Sequence, residues 1–221
     1  MDDVTRKNAL YAEFAAIGKA LANAGRIELL DVLAQGPRSV DELAEAAGMG
    51  LSTCSAHLQS LREAGLVGSV RDGKRVINFL TDEDVARLLV DLRSVASRHR
   101  PGTDRARRAY LGPDDTEAIT RAELLRRAET GDLVILDVRP GVEYAAGHLP
   151  GALNIPIAEL AERLDELPLD TEVVAYCRGA FCVMAHEAVR ILTAHGYRAR
   201  RTEDGALEWR AAGLLRPLPA A

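Results

Sequence analysis

The run Leu133-Val134-Ile135-Leu136-Asp137-Val138 is apolar almost throughout and does not alternate. A strand with one wet face alternates apolar and polar residues. A run of this kind is buried on both faces, as inside a parallel sheet. Glu172-Val173-Val174-Ala175-Tyr176 is a second such run. Helical signals surround them. Thr120 with Glu123 forms a capping-box pattern, Leu124 and Leu125 follow, and Gly131 stops the helix. Another helix follows Cys182 and runs to about His195. Strands that alternate with helices predict an α/β unit with a mostly parallel sheet. Ligands on such sheets collect at the carboxyl ends of strands, and Cys177 falls at one of them.

The first half has a different pattern. Leu10, Phe14, Ile17 and Leu21 recur at helical spacing, and a second helix is predicted from about Gly25 to Ala34. Gln35-Gly36-Pro37 stops it, and Ser39 with Glu42 opens a short helix through a capping box. After Met49-Gly50, a longer helix is predicted from Leu51 to Ala64, ended by Gly65. Two short helices across a glycine turn make a helix-turn-helix. In its second helix, Leu51, Cys54, Leu58 and Leu61 mark the inward face. Ser52, Thr53, Ser55, His57, Gln59 and Arg62 lie on the other faces and suit phosphates and base edges. Two strand-like runs follow, 66–71 and 75–80, with the hairpin signal Asp72-Gly73 between them. Arg71, Lys74 and Arg75 give that hairpin a cationic tip, a wing able to reach the DNA backbone. A last helix is predicted from Asp82 to about Arg98, capped by Thr81, with a wide stripe of Val85, Leu88, Leu89, Leu92, Val95 and Ala96.

Composition narrows the class further. The 221 residues are 48% hydrophobic and 28% charged, as in globular chains rather than disordered or fibrous ones. Three cysteines and five histidines are scattered, with no C-x-x-C pair, so no zinc site or disulfide framework is expected. No apolar stretch is long enough for a bilayer and no signal peptide is visible, so the chain reads as cytoplasmic, with no membrane partner and no cofactor. The net charge of −5 is carried by the second half; the first is near neutral and leaves room for local basic patches.

Residues 52–67, Ser-Thr-Cys-Ser-Ala-His-Leu-Gln-Ser-Leu-Arg-Glu-Ala-Gly-Leu-Val, resemble the recognition-helix signature of ArsR/SmtB-type winged-helix repressors. The resemblance covers about residues 8–100. It implies a homodimer on double-stranded DNA, at an inverted-repeat operator. Metal-sensing members carry thiolates in the helix before the turn or His/Asp ligands in the last helix. Here the helix after Ser39 has no cysteine, and the last offers only Asp84, Asp91 and His99, so no metal site is expected. Cys54 reads as a core thiol.

Residues 97–115 break the periodicity and hold Arg98, Arg100, Arg105, Arg107 and Arg108, in keeping with a solvated linker or the surface of a short helix. The expected division is a DNA-binding and dimerisation domain at 1–100, a linker at 101–116 and an α/β domain at 117–221.

In that domain, Cys177 precedes Arg178-Gly179-Ala180-Phe181-Cys182 and a helix. A helix N-terminus and successive backbone N–H groups stabilise an anion, so a lowered thiol pKa is expected, with Arg178 as a nearby cation. Residues 137–156 resemble the rhodanese signature almost residue for residue, and Gly205 to Gly213 resemble its C-terminal glycine and tryptophan segment. The resemblance spans about 117–216. It implies that Cys177 carries sulfur as a persulfide, within an anion cradle of Gly179, Ala180, Phe181 and Cys182. Asp137 and Arg139 are expected to organise the site, joined by Glu143. His148, His186 and His195 read as structural. Two departures matter: Cys182 stands where many rhodaneses have arginine, and Val183 excludes the C-x5-R phosphatase pattern. Cys182 reads either as a resolving thiol or as a packing thiol.

The fold class expected is therefore two domains: a mainly α winged helix-turn-helix with a β-hairpin wing, then an α/β rhodanese-like domain. The leading functional expectation is a repressor that responds to reactive sulfur or redox state through Cys177. Its small-molecule partner is a low-molecular-weight persulfide or another sulfane-sulfur donor. The alternatives are a thiosulfate or persulfide sulfurtransferase tethered by its DNA-binding domain, and an arsenical- or metal-responsive repressor.

Overall fold

The computed structural model describes residues 3–113 and 115–215. Its internal contacts divide the chain into a unit ending at Leu89 and a unit beginning at Val90.

The first unit holds α1 (Asp3–Leu21), α2 (Ala24–Leu33), β1 (Arg38–Ser39), α3 (Val40–Ala46), α4 (Leu51–Glu63), β2 (Val67–Asp72) and β3 (Arg75–Leu80). It ends within α5 (Glu83–His99), which runs on into the second unit. Local chemistry sets these boundaries. Asn23 caps α2 by accepting from the Arg26 N–H. Ser39 and Glu42 form the expected reciprocal capping box on α3. Gly65 sits at φ +74 beyond α4, a conformation that other residues reach only with strain. β2 and β3 pair from Val67↔Leu80 to Asp72↔Arg75, so the tight turn is Gly73-Lys74. β1 pairs on the far side of β3, giving the antiparallel order β1-β3-β2. Leu29, Leu30, Leu43, Cys54, Leu58, Leu61 and Leu89 are buried in the core.

Three local readings change. Thr81 does not cap α5: its hydroxyl donates to Gly65 O at 2.7 Å, and Asp82 Oδ1 takes the Asp84 N–H. Leu51 lies at the first turn of α4 and is exposed, although Cys54, Leu58 and Leu61 are buried. The apolar stripe of α1 is also uncovered, with Leu10, Tyr11 and Phe14 exposed.

The second unit takes the rest of α5, then α6 (Gly102–Leu111), β4 (Ala118–Ile119), α7 (Arg121–Thr130), β5 (Leu133–Asp137), α8 (Gly141–Ala145) and β6 (Leu153–Asn154). Single 3-10 turns at Leu160–Glu162 and Leu164–Glu166 lead to β7 (Glu172–Tyr176), α9 (Val183–Ala194), β8 (Ala199–Thr202) and α10 (Ala206–Ala211). The five strands are ordered β4-β8-β7-β5-β6 and every pairing is parallel. β5 and β7 pair from Leu133↔Glu172 to Asp137↔Tyr176. Alternate side chains of these strands feed two cores. Leu136, Val173, Ala175 and Cys177 join Ala188 and Leu192 of α9, while Leu133, Ile135, Val174 and Tyr176 join Leu124 and Trp209. Both faces of the central strands are therefore dry, as their unbroken apolar runs require. Residues 102–111 of the expected linker form α6, and the second half of α5 belongs with this unit. No helix among the described residues is long and apolar enough to cross a membrane.

Candidate functional site

β7 delivers Cys177 to the carboxyl end of the sheet, and residues 178–182 lead into α9. Two side-chain networks fix this loop. In the first, Arg178 makes a bidentate pair with the buried Glu143 of α8, with Nη2 at 2.7 Å from Oε1 and Nε at 3.0 Å from Oε2. Asp137 and Arg139 pair beside it, each 0% exposed, at 2.6 Å. Arg139 also donates to Gly147 O, and its own N–H meets Asp137 Oδ1. This network holds the loop after β5 to α8. Asp137, Arg139 and Glu143, named together from the sequence, are thus brought together beside the thiol loop. Arg178 faces Glu143 rather than standing as an isolated cation beside the thiol.

The second network comes from the C-terminal glycine segment. Ala206 N–H donates to Cys177 O and Leu207 N–H to Arg178 O. A Cβ placed on Gly205 would lie 2.2 Å from Gly179 N, so only glycine allows this approach. The Glu208 carboxylate accepts from Gly205 N–H at 2.8 Å. Arg93 of α5 completes the arrangement: its Nη1 is 3.8 Å from Glu208 Oε1, and its guanidinium lies 5.8 Å from the centre of the Phe181 ring. Burial raises the Glu208 carboxyl above its ordinary range, against the pull of Gly205 N–H and Arg93. The sequence reading omitted Arg93 and any specific role for Glu208.

The two thiols behave differently from expectation. Cys177 is buried, and burial pushes its thiol well up, although the N–H groups of Ala185 and Gly179 favour its thiolate. Its Sγ lies 3.6 Å from Cys182 O and 3.9 Å from Gly179 O, two acceptors that favour the protonated form. The Cys182 N–H of the expected cradle is itself bound to Gly179 O. Cys182 takes the N-cap position of α9. Its thiol is pulled down, chiefly by a hydrogen bond from the Cys177 thiol. The N–H groups of Met184 and Arg178 and the Arg178 charge assist, against burial. The helix N-terminus thus acts on Cys182, and Cys182 ionises more readily than Cys177.

The expected DNA-reading residues divide as well. Ser52, Thr53, Ser55 and Gln59 of α4 and Arg71, Lys74 and Arg75 of the hairpin are exposed. Arg62 is turned inward: Nη1 donates to the buried Asn78 Oδ1 at 2.9 Å and Nη2 to Gln59 Oε1. His57 is half-buried against Gly25. Arg75 faces Glu42 at 3.6 Å, both largely exposed, so screening leaves that pair weak. Cys54 is buried beside Val40 O, and burial raises its thiol, which fits a packing role. Among the described residues, no group of three or more His, Cys, Asp or Glu side chains could hold a metal ion.

A helix-turn-helix with a hairpin wing, joined to a parallel sheet with a strand-end thiol loop, defines a winged-helix regulator with a rhodanese-like domain. Residues 23–69 match the bacterial regulatory protein arsR family, and residues 120–212 match the rhodanese-like domain. The chain is 54% identical over 210 residues to the HTH-type transcriptional regulator Rv0324 of Mycobacterium tuberculosis, across 95% of this chain and 92% of that protein. A sulfurtransferase of Allochromatium vinosum is 33% identical over 101 residues, 45% of this chain and 89% of that one. Among solved structures, one that is similar is the homodimeric winged helix-turn-helix DNA-binding domain (fragment 1–100) of Mb0332 from Mycobacterium bovis, a possible ArsR-family transcriptional regulator. It shares 47% identity across 45% of this chain and 91% of that one, with a TM-score of 0.42. The chain belongs to the ArsR family of bacterial transcriptional regulators and carries a rhodanese-like domain.

Proposed function

We propose that this regulator is a homodimeric repressor whose grip on an inverted-repeat operator changes when sulfane sulfur reaches Cys177. One observation carries the reading: Arg93 of α5, a helix that begins in the DNA-binding unit, touches both Glu208 and Phe181 at the thiol loop. A change at the loop thereby has a physical route into α5. Dimerisation is supported by the uncovered Leu10, Tyr11 and Phe14 of α1, since an exposed apolar helix face favours a self-complementary partner. Ser52, Thr53, Ser55 and Gln59 supply the base-edge contacts, and Arg71, Lys74 and Arg75 the phosphate contacts.

The chemistry follows from the thiol pair. The Cys182 thiolate takes the Cys177 proton as Cys177 Sγ attacks the outer sulfur of a low-molecular-weight persulfide, R–S–SH. The S–S bond of the donor breaks, and the leaving thiolate RS⁻ takes the proton back from Cys182. Cys177–S–SH and RSH result. The regenerated Cys182 thiolate then attacks the inner sulfur of Cys177, forms a Cys177–Cys182 disulfide and expels HS⁻. The sulfane sulfur is reduced to sulfide and the two thiols are oxidised. A small-molecule thiol resets the pair by exchange.

The likeness to the Allochromatium sulfurtransferase over 101 residues favours a second reading, steady transfer of sulfur from donor to acceptor with ping-pong kinetics. Fluorescence anisotropy on the gene's own upstream DNA separates the two. The repressor reading expects an affinity change of tenfold or so after glutathione persulfide treatment, about 1.4 kcal/mol, and none in Cys177→Ser. Unchanged binding together with many turnovers per Cys177 overturns it in favour of the transferase.

A further inference from the structure

We infer that a cleft between the thiol loop and α6 binds the body of a zwitterionic small-molecule thiol, an amino-acid or peptide thiol, as donor or acceptor for Cys177. The inference rests on the sulfur-transfer reading and names its substrate class.

The cleft has a volume of about 590 Å³ and lies wholly within the second unit. That volume sits in the range of roughly 300–1,000 Å³ typical of small-molecule sites. Ala180 and Phe181 of the thiol loop form one wall, so an occupant lies against that loop. Arg107 and Asp104 of α6 and Arg201 and Glu203 at the end of β8 supply the charged walls. Two cations and two anions balance. A dianion such as thiosulfate gains little from such a site, and a neutral alkyl thiol gains nothing from its charges. A ligand with both ammonium and carboxylate groups matches it.

The geometry supports that match. Arg201 is anchored, because its Nε donates to Thr116 Oγ1 at 3.0 Å. Arg107 Nε stands 3.9 Å from Asp104 Oδ1, the long end of an ion pair, with both side chains partly exposed. A screened pair of that length contributes little. Its partners can turn to a ligand carboxylate and ammonium at small cost. Three features of the cleft, Arg107, Asp104 and Thr116, lie outside the segment that matches the rhodanese-like domain. The stretch joining the matched segments therefore supplies selectivity to the thiol loop.

The test uses the full chain carrying Cys177→Ser, which removes the reaction and leaves the cleft. S-methylglutathione, unreactive at sulfur, is titrated by calorimetry beside thiosulfate and 2-(methylthio)ethanol. Saturable binding of S-methylglutathione alone, weakened about fivefold by the surface substitution Arg107→Ala, supports the site; fivefold corresponds to about 1 kcal/mol for a half-exposed contact. Equal binding of all three probes, or no effect of Arg107→Ala, overturns it. Loading of wild-type Cys177 is followed in parallel by mass spectrometry. Selective binding without any loading keeps the cleft and removes the sulfur-transfer reading. Loading by glutathione persulfide and a neutral alkyl persulfide at rates equally indifferent to Arg107→Ala removes the cleft and keeps the chemistry.

Discussion

The two units place their polar residues in opposite ways. In the first, Ser52, Thr53, Ser55, Gln59, Arg71, Lys74 and Arg75 stand in solvent on a core of leucines. In the second, Asp137, Arg139, Glu143 and Cys177 lie inside the packing. A surface that meets DNA needs only a firm base, and water solvates its charges until the partner arrives. A thiol site enclosed by protein needs each charge matched within the fold, because a buried unpaired charge is costly. Substitutions at these exposed polar residues of the first unit should therefore change binding and leave folding alone, while those at the buried charges of the second should change folding first.

The strongest way to break this contrast is Arg139→Ala. Asp137 would remain fully buried without its bidentate partner. We expect a loss of about 3–5 kcal/mol in the stability of the second unit, read by urea denaturation. An unchanged midpoint would show that water reaches Asp137 and that the burial argument fails. Gly205→Ala comes next. The added methyl meets Gly179 backbone at 2.2 Å, and overpacking of that kind costs roughly 1–3 kcal/mol. Slower loading of Cys177 should accompany it, since the thiol loop must shift.

The first unit offers a sharper comparison within itself. Replacing Arg71, Lys74 and Arg75 together with alanine should move stability by no more than about 0.5 kcal/mol. The slope of log affinity against log salt should shrink by about 2–3. Arg62→Ala should do the reverse. It removes a partner of the buried Asn78 and should lower stability by about 1–3 kcal/mol, leaving the salt slope nearly unchanged. Equal effects of the two changes on the salt slope would return Arg62 to the DNA surface.

The smallest effect expected is on pH dependence. A thiol with a lowered pKa is deprotonated at pH values below those needed by an ordinary cysteine. Loading of Cys177 should therefore rise with pH through the lowered Cys182 ionisation. In Cys182→Ser only the burial-raised Cys177 remains, and the rise should move to higher pH. Superimposable profiles from stopped-flow measurements would deny Cys182 its part as proton acceptor.

The sequence made some of this legible for identifiable reasons. β5 and β7 follow from unbroken apolar runs, because only strands buried on both faces tolerate them. The capping box at Ser39 and the hairpin around Gly73 are local, so their residues suffice. Thr120 also caps α7, but the Glu123 carboxylate pairs with Arg200, a residue far along the chain. Long-range pairings leave no fixed spacing, which is why the tie between Arg93 and Glu208 went unread. One signal was available: Arg93 sits four residues after Leu89 and three before Ala96, within the apolar stripe of α5. A charge on such a stripe calls for a buried partner of opposite sign. The order of the two thiols was hidden because it depends on desolvation, and a helix N-terminus assigned from sequence could serve either Cys177 or Cys182.

The central claim is that the thiol loop acts on DNA binding through α5, and Arg93→Ala tests it most directly. The variant should be treated with glutathione persulfide and split, one portion for intact-mass analysis of Cys177 and the other for anisotropy on operator DNA. The account predicts sulfur loading like that of the wild type with operator affinity that no longer responds. A variant that loads sulfur and still changes its affinity as the wild type does would contradict it.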